Sequence, residues 1–264
     1  MDPLMADLPR VSVVTPSFNQ AVFLERTILS VLEQEYPNLE YIIIDGGSTD
    51  GSVEIIQKYA DRLAYWISEP DRGQTDAINK GFSHATGDIL AWLNSDDTYL
   101  PGALAGAASF LQQNGKVGLV YGDMNFIDEH DRVIGKFNAA LTDLKRLRRG
   151  YIHVPQPAAF FRADLWRQVG PLDPTFFFAM DYDLWVRLAQ KSDFAYLKGE
   201  TWANFRLHSG GKTVVSDDRN WPELLRVHYR DGGSFFSPIV ARYWLRKLLA
   251  PYIRWRRRKM FDHR

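Results

Sequence analysis

The stretch Ile89-Leu90-Ala91-Trp92-Leu93-Asn94-Ser95-Asp96-Asp97 runs five apolar residues, the length of a buried strand, into a polar tip with two adjacent aspartates. Side by side, two carboxylates repel and are costly to bury, so a strand tip that carries them points to a cation or a polar ligand. A helix cap is the competing reading, because Asp97, Thr98 and Pro101 precede an Ala-rich stretch and acids are favoured at a helix N-terminus. Working outward, the same kind of unit recurs. Apolar runs at 11–15, 41–45, 63–68 and 89–93 are each followed by a helical pattern, over 22–34, 52–59, 75–84 and 102–113, before a fifth run at 117–121. Such alternation predicts an α/β protein with a Rossmann-like, mostly parallel sheet flanked by helices, and ligands at the C-terminal ends of its strands. Three loops then converge on one sheet edge: Thr15-Pro16-Ser17-Phe18-Asn19, Asp45-Gly46-Gly47-Ser48-Thr49-Asp50 and Asp96-Asp97. A helix cap does not account for all three together.

The chain has 264 residues, 45% of them hydrophobic, enough to bury a full core as one large domain or two small ones. Cys is absent, which excludes disulfides, thiolate metal sites and cysteine nucleophiles. Residues 1–7 carry no basic region followed by an apolar one, so no secretory signal is expected there. No stretch has the roughly 18 uncharged apolar residues of a membrane span. The net charge of zero hides an asymmetry: residues 242–264 hold nine Lys and Arg against one acid, leaving 23 bases against 31 acids in the rest. In that tail Phe236, Ile239, Val240, Tyr243, Trp244, Leu248 and Tyr252 recur at helical spacing beside Arg242, Arg246 and the basic run 254–259. Two readings stand: a basic amphipathic helix lying on an anionic membrane surface, or a terminal helix packing its apolar stripe on its own domain.

Each loop has a plausible task in holding a nucleotide. The Asp45 carboxylate could accept from the N–H edge of uracil, thymine or guanine, with Gly46 and Gly47 permitting close backbone approach; the alternative is an Asx-turn before the next helix. Within Glu69-Pro70-Asp71-Arg72-Gly73-Gln74 the Arg72 guanidinium suits a diphosphate, unless the segment is a plain surface turn. No Gly-rich dinucleotide or P-loop fingerprint occurs.

Together these pieces resemble a known family. Val13-Val14-Thr15-Pro16-Ser17-Phe18-Asn19, Ile44-Asp45-Gly46-Gly47-Ser48-Thr49-Asp50-Gly51, Glu69-Pro70-Asp71-Arg72-Gly73 leading to Ala77-Ile78-Asn79-Lys80-Gly81, and Leu93-Asn94-Ser95-Asp96-Asp97 are similar, in order and spacing, to family-2-type inverting glycosyltransferases. The resemblance covers roughly residues 10–210 and implies a GT-A fold, placed over residues 1–235 with a nucleotide-binding half over about 10–125 and an acceptor-binding half over about 126–235, ahead of the basic amphipathic tail at 236–264 read above. It implies a nucleotide-sugar donor, with UDP or dTDP ahead of GDP, and a divalent cation, manganese or magnesium, held against the donor diphosphate. Asp97 with His208 would be its ligands, and Asp96 would hold the ribose or the sugar. Thr15, Pro16, Ser17, Asp45, Asp71, Arg72, Ser95, Gln156 and Lys212 complete the expected donor-binding set, His208 and Lys212 belonging to a closing loop, Phe205 to Thr213.

In Met180-Asp181-Tyr182-Asp183 the two acids point to different helix faces, so at most one meets a substrate. The family's usual acidic pair aligns with Met180-Asp181, which makes Asp181 the expected base and leaves Asp183 to cap or brace the helix. Trp92, Trp185 and Trp202 could stack on sugar or belong to the core. Three departures qualify the likeness: Asn94 stands where many relatives carry another acid, Met180 replaces the helper acid, and Pro251 occupies the Gln position of the Gln-x-x-Arg-Trp signature of processive synthases. The expected activity is therefore transfer of one sugar to a glycan or lipid-linked acceptor in bacterial surface polysaccharide synthesis. The expected place is the cytoplasm, at the inner face of the cell membrane, with no nucleic-acid partner. A nucleotidyltransferase would also use paired aspartates and a metal, but residues 15–20 lack the basic loop it needs. An idle nucleotide-sugar-binding module is the other alternative.

Overall fold

The computed structural model describes residues 8–212 and 220–261, with the side chains of the last helix described as far as residue 250. Residues 1–7, Thr213 and the side chains of the basic run 254–259 lie outside the described set. The first half follows the alternation of the sequence: β1 (Val11–Ser17), α1 (Ala21–Leu32), β2 (Leu39–Asp45), α2 (Ser52–Lys58), β3 (Tyr65–Ser68), α3 (Gln74–His84), β4 (Ile89–Trp92), β5 (Thr98–Tyr99) and α4 (Ala103–Gln113). The second half is more irregular, with β6 (Val117–Ile127), β7 (Val133–Phe137), α5 (Leu144–Arg148), β8 (Ala159–Arg162), α6 (Ala163–Val169), α7 (Met180–Ala189), β9 (Asp193–Arg206), α8 (Trp221–Arg230) and α9 (Pro238–Phe261).

One mixed sheet carries both halves, in the order β3-β2-β1-β4-β8-β6-β9-β5, with β7 paired to β6. Strands β1 to β4 are parallel to one another, whereas β8 joins antiparallel to both β4 and β6. Alternate residues of β1 and β2 enter opposite cores: Val14, Ile42 and Ile44 pack on the α3 and α7 side, and Val11, Val13 and Ile43 on the α1 and α4 side. Burial on both faces explains why these strands read as continuous apolar runs. The sixth strand exceeds the expected run at 117–121 because its far end pairs with both β7 and β9.

Strand order reverses between β1 and β4, since β2 and β3 build outward on one side and β4 returns to the other. A reversal of this kind opens a crevice at the C-terminal strand ends. The loops after β1 and β4 flank it. Helix α3 is held close at Gly81, where an added Cβ would stand 2.3 Å from Val14 Cγ1, and this fixes the N-terminal end of α3 beside the crevice.

Candidate functional site

A cleft of about 800 Å³ occupies the reversal point. Of the sequence-predicted residues, Pro16, Ser17, Asp71, Ser95, Asp96, Gln156, Asp181 and Lys212 line it. Ser17 Oγ is buried there with no hydrogen-bond partner among the described residues, a polar atom in want of a ligand. The segment with Gln156 is a single 3-10 turn (Gln156–Ala158) ahead of β8. Trp92, Trp185 and Trp202 are buried; Trp92 reaches the cleft floor while its ring stacks on Trp185 at 5.6 Å.

Several expected contacts do not face the cleft. Thr15 is buried and pairs its Oγ1 with Tyr41 Oη at 3.0 Å. Asp45 is fully buried and its carboxylate is saturated locally. Oδ2 accepts from the Gly47 and Ser48 amides at 3.1 and 2.8 Å and from Ser68 Oγ at 2.7 Å, and Oδ1 accepts from Ser48 Oγ at 2.6 Å. The Asx-turn alternative therefore describes Asp45, and Asp71 is the carboxylate that reaches the cleft in its place. A Cβ added to Gly46 would stand 2.9 Å from Asp71 Oδ2, so only glycine leaves room for that carboxylate. Arg72 is 80% exposed and paired with Asp76 at 2.8 Å, on a smaller recess of about 220 Å³ beside the cleft.

The structure separates the two aspartates by burial. Asp97 is 1% exposed, with Oδ1 accepting from the Arg206 amide at 3.0 Å and Oδ2 from Asn94 Nδ2 at 3.2 Å. Burial, together with the neighbouring Asp96, pushes its carboxyl well above the usual carboxylate range. Asp96 instead lines the cleft, and its Oδ2 lies 3.0 Å from His208 Nε2. Both lie in the turn after β4, where the Asp97 amide donates to the Asn94 carbonyl at 3.1 Å, and of the two only Asp96 lines the cleft. Among the described residues no three His, Asp or Glu gather as a ready-made metal site. His208 stands behind Asp96 and does not itself line the cleft; a carboxylate beside an imidazole nevertheless supplies donors that fit a cation taking its remaining ligands from phosphate and water.

Asp181 lies on the same cleft, in the first turn of α7. Burial raises its carboxyl above the ordinary range, against the pull of the Tyr182 amide and the Lys212 charge. The Lys212 ammonium is itself pushed down to about 8 by burial. It donates to Gln74 Oε1 at 2.8 Å and sits 3.9 Å from the Phe177 ring centroid. Asp183, two residues on, faces away and is paired with Arg187 at 2.9 Å and Arg230 at 2.5 Å.

A family comparison matches residues 12–180, more than half of the chain, to "Glycosyl transferase family 2". The chain belongs to glycosyl transferase family 2. An uncharacterized glycosyltransferase of Mycobacterium tuberculosis is 38% identical over 188 residues, covering 70% of this chain and 71% of the relative. A PGL/p-HBAD biosynthesis glycosyltransferase of Mycobacterium bovis is 28% identical over 95% of this chain and 99% of its own length. Among solved structures, S. aureus TarS residues 1–349 in complex with UDP-GlcNAc superimposes with a TM-score of 0.70 at 16% identity, over 91% of this chain and 73% of that one. The mannosyltransferase PcManGT from Pyrobaculum calidifontis, in complex with GDP-Man and Mn2+, gives 0.67 at 21% identity, over 91% and 71%. These likenesses show the GT-A fold.

Four residues of this glycosyltransferase were given no structural task in the sequence reading. Gln74 and Asn94 join the two walls of the cleft: Lys212 donates to Gln74, Gln74 Nε2 to Asn94 Oδ1 at 2.6 Å, and Asn94 Nδ2 to Gln156 Oε1 and Asp97 Oδ2 at 3.2 Å each. An amide at 94 donates and accepts at once, which an acid there could not do when ionised. Arg206, fully buried, donates Nε to the Asp96 carbonyl at 2.8 Å and Nη2 to Asp131 at 2.6 Å, holding the acidic turn from behind.

Glu223 of α8 is the fourth. Its carboxylate accepts from the amides of Phe177, Phe178 and Ala179, at 2.7 Å for Phe178 and 2.9 Å for Ala179, and so fastens the segment that leads into α7. Glu223→Ala leaves those amides without their acceptor and is expected to lower stability by about 2 kcal/mol. Turnover should fall with it, and Glu223→Gln should recover part of both; urea unfolding beside steady-state rates checks the pair.

Proposed function

We propose that this glycosyltransferase moves one sugar from a nucleotide-diphosphate sugar to a hydroxyl of a glycan or lipid-linked acceptor, with inversion at the anomeric carbon. The observation that carries the reading is one cleft lined by both Asp96, backed by His208, and Asp181. Support for a nucleotide-sugar donor comes from neighbours of the same fold solved with UDP-GlcNAc and with GDP-Man. UDP and dTDP are the favoured donors, with GDP after them; Asp71 takes the base-recognition role first given to Asp45, and Ser17 offers the donor contact first expected of Thr15. Asp96 and His208 would hold manganese or magnesium, reversing the part first given to Asp97. When bound, that ion would neutralise charge on the departing diphosphate.

Asp181 accepts the proton of the acceptor hydroxyl as its oxygen attacks the anomeric carbon on the face opposite the diphosphate. The new C–O bond forms as the old one breaks, the nucleoside diphosphate leaves with the bonding pair, and the proton remains on Asp181 until solvent takes it. A raised carboxyl pKa makes a stronger base at the cost of needing a higher pH to ionise. Lys212 stays cationic only below about 8. The profile of kcat/KM against pH should therefore rise through the raised Asp181 value and fall near pH 8, and Lys212→Met should remove the alkaline fall. The place proposed for the work is the cytoplasmic face of the cell membrane, in surface polysaccharide synthesis, where the tail could meet anionic lipid. A screen of nucleotide sugars for manganese-dependent hydrolysis without acceptor tests the central claim. Release of nucleoside diphosphate from one donor is expected; pyrophosphate release would mark a nucleotidyltransferase, and no turnover of any donor a binding module.

A further inference from the structure

The apolar residues of the tail do not form one stripe. Helix α9 presents two. Its first turn packs inward: Ile239 and Val240 are buried, and a Cβ at Gly150 would stand 2.3 Å from Ile239 Cβ, so the chain after α5 lies directly against the helix. Tyr243 meets Trp221 at 6.0 Å on that same inner side. Trp244, Leu245, Leu248 and Leu249, at a spacing that makes one helix face, are instead 44 to 76% exposed. Phe235 and Phe236, in the turn just before α9, are exposed as well. Four successive outward apolar positions are not needed to pack this helix on its own domain.

The Gly150 contact also gathers positive charge from a second segment. Lys145, Arg146, Arg148 and Arg149 are all exposed on and just after α5. Tyr151 joins the two segments: the Arg149 guanidinium lies 5.9 Å from its ring and the Arg242 guanidinium, from α9, 5.1 Å. The fold thus brings the α5 bases, more than ninety residues earlier in the chain, to the root of the helix that carries the apolar face. An apolar helix face with basic side chains gathered at the root of the same helix matches an interface of anionic headgroups over acyl chains.

We propose that the outward face of α9 and the basic segment Lys145–Arg149 form one docking surface for an anionic lipid bilayer. This rests on the lipid-linked acceptor reading and adds to it which surface turns to the membrane. The apolar face enters the headgroup boundary, and the α5 bases hold the domain down beside it.

Sedimentation of the full chain with vesicles of phosphatidylcholine, with and without phosphatidylglycerol, tests it. Binding is expected to phosphatidylglycerol vesicles only and to weaken with added salt. Trp244→Ser with Leu248→Ser should weaken it at least tenfold, and so should the triple change Lys145→Gln, Arg148→Gln, Arg149→Gln. Donor hydrolysis without acceptor should stay at the level of the unaltered chain in both, which separates failure of this surface from failure of the transfer reading. Absence of vesicle binding by the unaltered chain overturns the proposal, as does unchanged binding in either variant. A dimer in light scattering that Trp244→Ser dissociates, without vesicle binding, assigns the face to a second copy of the chain and overturns it too.

Discussion

Asp181→Asn is expected to abolish sugar transfer, by roughly 100- to 10,000-fold in kcat, the range that a positioned general base contributes. The substitution preserves shape and the contact with the Tyr182 amide, because the Asn carbonyl oxygen still accepts there. It removes only the capacity to take a proton. Donor binding should change little, since Asp96 and His208 lie apart from it in sequence and hold each other. Binding of nucleoside diphosphate with manganese, measured by calorimetry beside the transfer assay, separates the two. Full transfer by the variant would leave the proton acceptor unassigned.

The second large effect distinguishes the two aspartates of the strand tip. Asp96→Ala should weaken manganese-dependent binding of nucleoside diphosphate by at least about 100-fold, as loss of a metal ligand exceeds the 10- to 100-fold loss of a residue behind one. Its stability should barely move. Asp97→Asn should do the reverse. One Asn atom must face Asn94 Nδ2 and the other the Arg206 amide, both donors, so one contact of 3.0 or 3.2 Å becomes donor against donor. About 1–3 kcal/mol of stability should be lost, with manganese-dependent binding kept in the folded fraction. The opposite pattern, metal dependence lost at 97 and kept at 96, would restore the division first read from the sequence.

Strands β1, β2 and β4 were legible because both of their faces are buried, which writes them as unbroken apolar runs between helical patterns. The second half was harder. Strand β9 (Asp193–Arg206) pairs with β6 across most of its length, yet its buried and open positions alternate irregularly and two register shifts lie between Tyr121 and Met124. No local period survives that. Among site residues, the loops were found but not the division of labour inside them. Asp45 and Asp71 both look like ligands in a sequence; only the folded loop shows that Ser48, Ser68 and two amides have already claimed Asp45. What turns Asp97 inward is the amide of Arg206, 109 residues later, and nothing near Asp97 announces it. Glu223 was invisible for the same reason: its partners are amides, which any sequence possesses, and they lie 44 to 46 residues upstream.

The Glu223 bridge bears on where the working unit of this chain stops. The family match ends at residue 180, one position short of Asp181. Arg226 and Arg230 reinforce the same junction, the first 3.7 Å from the Phe176 ring centroid and the second on Asp183. A piece cut at the match boundary would therefore lose the proposed base, Asp181, and one cut before Glu223 would keep it on a helix whose leading end had lost its fastening. Recognition of a family and competence to do its chemistry have different lengths here, and α8 is the difference between them.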